Sequence, residues 1–122
     1  MTGEELAKAV FTRVDAMDAE GFASYLTQDC AFVFGNWPAV EGSEAAANAV
    51  ANFFAGIDGI SHDILGVWEL DNVISVRLSV TYRRKNGTSV TLPCANLWQR
   101  SGDRIADYRI YMDVNPVFED AA

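Results

Sequence analysis

The 122-residue chain is half apolar and carries 9 basic against 17 acidic residues, a net charge of −8. That length suits one domain whose apolar half can build a core and line a cavity. The acidic balance excludes a nucleic-acid footprint, which needs basic residues against phosphate, and disfavours anionic lipid surfaces.

The charge is uneven: residues 1–76 hold 2 basic and 12 acidic groups, residues 77–122 hold 7 and 5. The longest charge-free apolar stretch, Ala45 to Ile57, is 13 residues with two Asn. A bilayer span needs roughly 20, so no membrane association is expected. The N-terminus, Met1 to Lys8, is acidic and amphipathic, unlike a secretory leader, so the expected location is cytoplasmic. Cys30 and Cys94 stand 64 residues apart without a CxxC or Cys/His cluster, so no structural metal is expected. A disulfide between them stays open, and two free buried thiols are the expectation for a cytosolic protein.

In chain order, Leu6, Val10, Val14 and Met17 recur at helical spacing and predict a first helix over about residues 3–16. Asp18 is a good N-cap for a short second helix, with Phe22, Tyr25 and Leu26 buried and Gln28-Asp29 ending it. Cys30 to Phe34 reads as a short apolar strand, and Gly35-Asn36-Trp37-Pro38 as a loop. Ser43 caps a third helix whose inward stripe is Val50, Phe53, Phe54 and Ile57, stopped by Gly56 and Gly59.

From residue 60 the apolar period switches to two. Strands are predicted at about 61–70, 73–84, 88–100 and 104–114, joined by Asp71-Asn72, Lys85-Asn86-Gly87 and Ser101-Gly102-Asp103. Such short turns make an antiparallel meander. Ile74, Val76, Leu78, Val80 and Tyr82 share one face; on the next strand Val90, Leu92, Cys94, Asn96 and Trp98 do. Those faces pack on the helices, and Thr91, Pro93, Ala95, Leu97 and Gln99 face solvent or a second copy of the chain. Arg83-Arg84-Lys85 reads as a solvated hairpin tip. The class is α+β, helices on one side of a bent antiparallel sheet, with one domain over 1–118 and a flexible tail over 119–122.

This order resembles the nuclear-transport-factor-two-like superfamily, in which a curved sheet forms a cone around N-terminal helices, a cystatin-like α+β roll. SnoaL-like polyketide cyclases, ketosteroid isomerases, scytalone dehydratases and limonene epoxide hydrolases share that shape. The matching phrases are Val14-Asp15-Ala16-Met17-Asp18, Ser61-His62-Asp63-Ile64-Leu65-Gly66, and the closing stretch from Asp103 to Asp113. The resemblance implies that Asp15 and His62 face a pocket as a carboxylate–imidazole pair. Imidazole can take and return a proton near neutral pH, as dehydration or isomerisation requires. Asn96 interrupts an apolar row, and a buried amide needs partners; it either bonds internally or holds a ligand carbonyl. Phe34, Trp37, Phe54, Trp98, Tyr108 and Ile110 are expected to line the pocket and to suit a small, flat, apolar ligand.

The chain also departs from the named enzymes. Val10 stands where the ketosteroid isomerases place a Tyr, Phe34 where they place their base, and Ile110 where limonene epoxide hydrolases place a carboxylate. The second histidine of the scytalone dehydratases is absent. Two readings follow. One is a cofactor-free lyase or isomerase using Asp15, His62 and Asn96, with no metal. The other is a non-catalytic small-ligand-binding or dimerisation module of the same fold. Either is expected to form a homodimer through the outer sheet face.

Overall fold

A computed structural model describes residues 1–119; of the expected tail, residues 120–122 lie outside the described residues. Thr2 opens the first helix, α1 (Gly3–Asp15), through a capping box in which its hydroxyl accepts from the Glu5 N–H and the Glu5 carboxylate accepts from the Thr2 N–H. Leu6, Ala7, Val10, Phe11 and Val14 form its buried stripe. Met17, at φ +56°, reverses the chain, and the Asp18 carboxylate caps α2 (Ala19–Ala23) by accepting from the Gly21 N–H at 2.9 Å.

The second helix is shorter than the pattern predicts. The chain leaves it at Ser24, and β1 (Leu26–Phe34) already starts at Leu26, which pairs with Ile105. The Ile105 N–H donates to the Tyr25 carbonyl at 2.8 Å. Leu26, Cys30 and Phe32 are buried with strand spacing. A register shift between Leu26 and Ala31 leaves Gln28 exposed and hides the period-two pattern. A two-residue strand, β2 (Val40–Glu41), was not predicted; it pairs with β1 across the Trp37 loop.

Helix α3 (Ser43–Ala55) is capped by Gly42 at φ +98°, and Ser43 is its first residue, without a side-chain capping bond. It buries Ala46, Ala47, Val50, Phe53 and Phe54 and ends at Gly56. Ile57, expected on this helix, is buried as the first residue of β3 (Ile57–Leu70). Gly59 lies inside that strand, at a bulge against β4 (Val73–Arg84). Asp71 and Asn72, both at positive φ, make the two-residue turn between β3 and β4 that matches strand twist. The chain continues through β5 (Ser89–Ser101) and β6 (Arg104–Tyr111).

The strands form one six-stranded curved sheet in the order β2-β1-β6-β5-β4-β3. The last four make the expected meander; β1 joins its far edge parallel to β6. The inward row of β4 is buried throughout, as is the Cys94, Asn96 and Trp98 stretch of β5. The last strand ends earlier than residue 114, and a short helix, α4 (Asn115–Phe118), follows. Arg84, read as a solvated turn residue, donates through Nε and Nη2 to the Pro116 carbonyl at 3.2 and 2.7 Å and holds that helix against the sheet. Both cysteines are buried and free.

Candidate functional site: a carboxylate–imidazole pair on an aromatic cavity

The curl of the sheet around α1 and α3 leaves a cavity of about 160 Å³. Its wall is almost wholly apolar and aromatic, and no Lys, Arg, Asp or Glu is among its lining residues. Phe34, Trp37, Phe54, Tyr108 and Ile110 line it, with His62 and Asn96. Trp37 is 43% exposed while lining the cavity, which places it at the mouth. It stacks on Phe34 at 5.2 Å and meets Phe53 edge-on at 6.4 Å.

Asp15 stands at the C-terminal end of α1, where that helix packs on β3. Its Oδ1 lies 2.6 Å from His62 Nδ1. The His62 backbone N–H is shared between its two oxygens, at 3.0 and 3.1 Å. A carboxylate only accepts, so Nδ1 carries the proton and Nε2 is the nitrogen left for the cavity side. Phe11 stacks on the imidazole with centroids 4.5 Å apart and fixes the ring plane. The His62 side chain is 8% exposed, and that of Asp15 31%. Asp15 is not itself a lining residue: it sits behind the imidazole rather than entering the pocket.

Asn96, 3% exposed, has a fixed orientation. The Trp98 indole N–H donates to Asn96 Oδ1 at 3.1 Å. An indole nitrogen only donates, so the amide oxygen must face it, and the NH₂ turns the other way. One N–H of that group reaches Cys94 Sγ at 3.5 Å, a weak contact, and the other has no hydrogen-bond partner among the described residues. Trp98, expected on the ligand surface, is instead fully buried and not among the lining residues. It is packed between Phe11 at 5.6 Å and Tyr108 at 5.0 Å, with its one polar atom spent on Asn96.

Phe11, Tyr82 and Met112 also line the cavity and were not singled out from the sequence. Tyr82 was legible only as a core residue, because its periodicity reports burial and not the presence of a void, and Phe11 falls outside the stripe predicted for the first helix. Burial pushes the Cys94 thiol up to about 11, against a smaller opposing effect of the Asn96 hydrogen bond, and the Cys30 thiol up to about 12. Both are therefore protonated and poor nucleophiles near neutral pH. Among the described residues no group of three or more His, Cys, Asp or Glu is placed to hold a metal ion. Nor is any helix long and apolar enough to cross a membrane.

A model of the SnoaL-like domain matches residues 7–108, which includes Asp15, His62 and Asn96. The chain belongs to the SnoaL-like family. No curated protein matches this SnoaL-like chain. Among solved structures it is similar to a hypothetical protein of ketosteroid isomerase-like fold from Catenulispora acidiphila, crystallised with trimethylamine. The TM-score is 0.86 at 16% identity over 93% of this chain and 88% of that one. A candidate SnoaL-like polyketide cyclase from Jannaschia sp. CCS1 gives 0.83 at 18% identity over 95% and 88% of the two chains. TerC, co-crystallised with polyporic acid, gives 0.82 at 16% identity over 95% of each. These likenesses establish the roll fold for this SnoaL-like domain.

Proposed function

We propose that this SnoaL-like protein is a cofactor-free lyase or isomerase that moves a proton on a neutral, apolar carbonyl or polyketide-like ring compound. The observation that carries this reading is the 2.6 Å contact between Asp15 and His62, with the imidazole on the wall of an aromatic cavity. His62 Nε2 removes a proton from the carbon next to the carbonyl. Asp15 stabilises the imidazolium that results, and the free N–H of Asn96 donates to the oxygen on which enolate charge collects. The imidazolium then returns the proton, either to another carbon, which shifts a double bond, or to a departing hydroxyl, which completes a dehydration. The likeness to a candidate polyketide cyclase and to a protein crystallised with polyporic acid supports a ring-bearing ligand.

A binding or dimerisation module would be better served by a cavity closed by its aromatics and a His62 turned to solvent. The void beside a paired, 8% exposed imidazole supports the enzymatic reading instead. The proposal includes a cytoplasmic location. It also includes a homodimer through the outer face, where Trp68, Leu97 and Tyr111 are exposed around a shallow hollow.

The test is deuterium wash-in at the carbon next to the carbonyl of 1-tetralone and related aryl ketones, followed by proton NMR in D₂O. Wild type is expected to exceed buffer, and His62→Ala to lose about 10²–10⁴-fold with an unchanged fold. Exchange by His62→Ala at the wild-type rate sinks the proposal.

A further inference from the structure

Tyr82 is a core residue with a misfit hydroxyl. Its ring is 2% exposed and stands edge-on to Phe53 at 5.9 Å. Its O–H donates to Met112 Sδ at 3.3 Å. A thioether is a weak acceptor, so the phenol is buried with much of its hydrogen-bonding capacity unspent. Burial also holds it firmly protonated, a donor and not a base. Tyr82 and Met112 both line the cavity, and an unbranched Met side chain can swing aside at small cost.

Position gives this donor a use. Tyr82 pairs with Ile60, and Val80, one inward step along β4, pairs with His62. On its other side Tyr82 meets Phe53, which packs on Phe34 and Trp37 at the mouth. Tyr82 therefore lies between the imidazole and the entrance. Since no Lys, Arg, Asp or Glu side chain lines the cavity, the oxygens it can receive belong to neutral groups.

We propose that Tyr82 is a second recognition group, which exchanges Met112 for an acceptor oxygen on the trailing part of the ligand. The ligand class is then a neutral ring compound with two acceptor oxygens. One is the carbonyl worked on by His62 and Asn96; the other, across the ring, is held by Tyr82. This rests on the proton-transfer reading above and narrows its substrate.

The experiment is isothermal titration of two probes, 1-tetralone with one acceptor oxygen and 6-methoxy-1-tetralone with two. Wild type is expected to prefer the methoxy compound about tenfold, the worth of one neutral hydrogen bond. Tyr82→Phe should erase the preference. Met112→Leu removes the competing acceptor and should widen it. A preference that is absent in wild type, or that survives Tyr82→Phe, overturns the inference while leaving the ketone site intact. If Tyr82→Phe does not fold, a preference unchanged or narrowed in Met112→Leu overturns it. Failure of wild type to bind either ketone overturns the underlying reading and this inference together.

Discussion

Asp15 and His62, 47 residues apart, are joined through both side chain and backbone: one carboxylate receives the imidazole Nδ1–H at 2.6 Å and the His62 main-chain N–H at 3.0 Å. The end of α1 and the start of the meander are thereby locked together. The same contact sets the tautomer that leaves Nε2 to the cavity.

Asp15→Asn separates the charge from the scaffold. The amide oxygen can still accept the backbone N–H, but it offers no negative charge to an imidazolium. We expect ketone exchange to fall about 10²–10⁴-fold while the melting temperature drops by only a few degrees. NMR exchange rates and thermal melts check this; a variant with the wild-type rate would reduce Asp15 to a structural clasp.

Trp98→Phe keeps a ring between Phe11 and Tyr108 and deletes one N–H. Asn96 Oδ1 is then buried without its donor, at a cost of about 1–3 kcal/mol. The amide is also freed to turn, so exchange should slow as well. Calorimetry and the ketone assay should both register the change. No loss in either would show that the indole bond does not orient Asn96.

The outer row from Thr91 to Gln99 is exposed along β5, with Leu97 39% exposed, and Trp68 on β3 is 59% exposed. If this face pairs two copies, sedimentation should report twice the 13.3 kDa chain mass. Leu97→Lys should give the single mass without loss of fold. A wild-type chain that sediments at the single mass removes the dimer from the proposal.

Thiol protonation gives a pH dependence of defined sign. Cys94 titrates near 11 in the folded chain against 9.0 for a free thiol, and Cys30 near 12. Between pH 9 and 11 the unfolded chain binds fewer protons than the folded one, so stability, intact below pH 9, falls as pH rises. Iodoacetamide should leave both thiols of the native protein unmodified at pH 8, and melts should decline above pH 9. Cys94→Ser should soften that decline. Rapid native-state alkylation at pH 8 would contradict the burial of these thiols.

What could be read from the chain alone was whatever repeats locally. The stripe from Leu6 to Val14 and the alternation from Ile74 to Tyr82 announce a helix and a half-buried strand, because periods of 3.6 and 2 are properties of neighbouring residues. The α+β class and the inward facing of Asn96 and Trp98 follow from the same regularities. Asp15 and His62 could be nominated, on residue type and family likeness. Contact between partners dozens of residues apart has no local signature. The parallel docking of β1 on β6, which turned Leu26 from helix to strand, was settled by backbone pairing with Ile105. The role of Arg84 as the anchor of α4, the retreat of Trp98 behind Asn96 and the thioether opposite the Tyr82 hydroxyl arise the same way. The void itself belongs to the tertiary structure, since it is space that the curl of the sheet keeps from being filled.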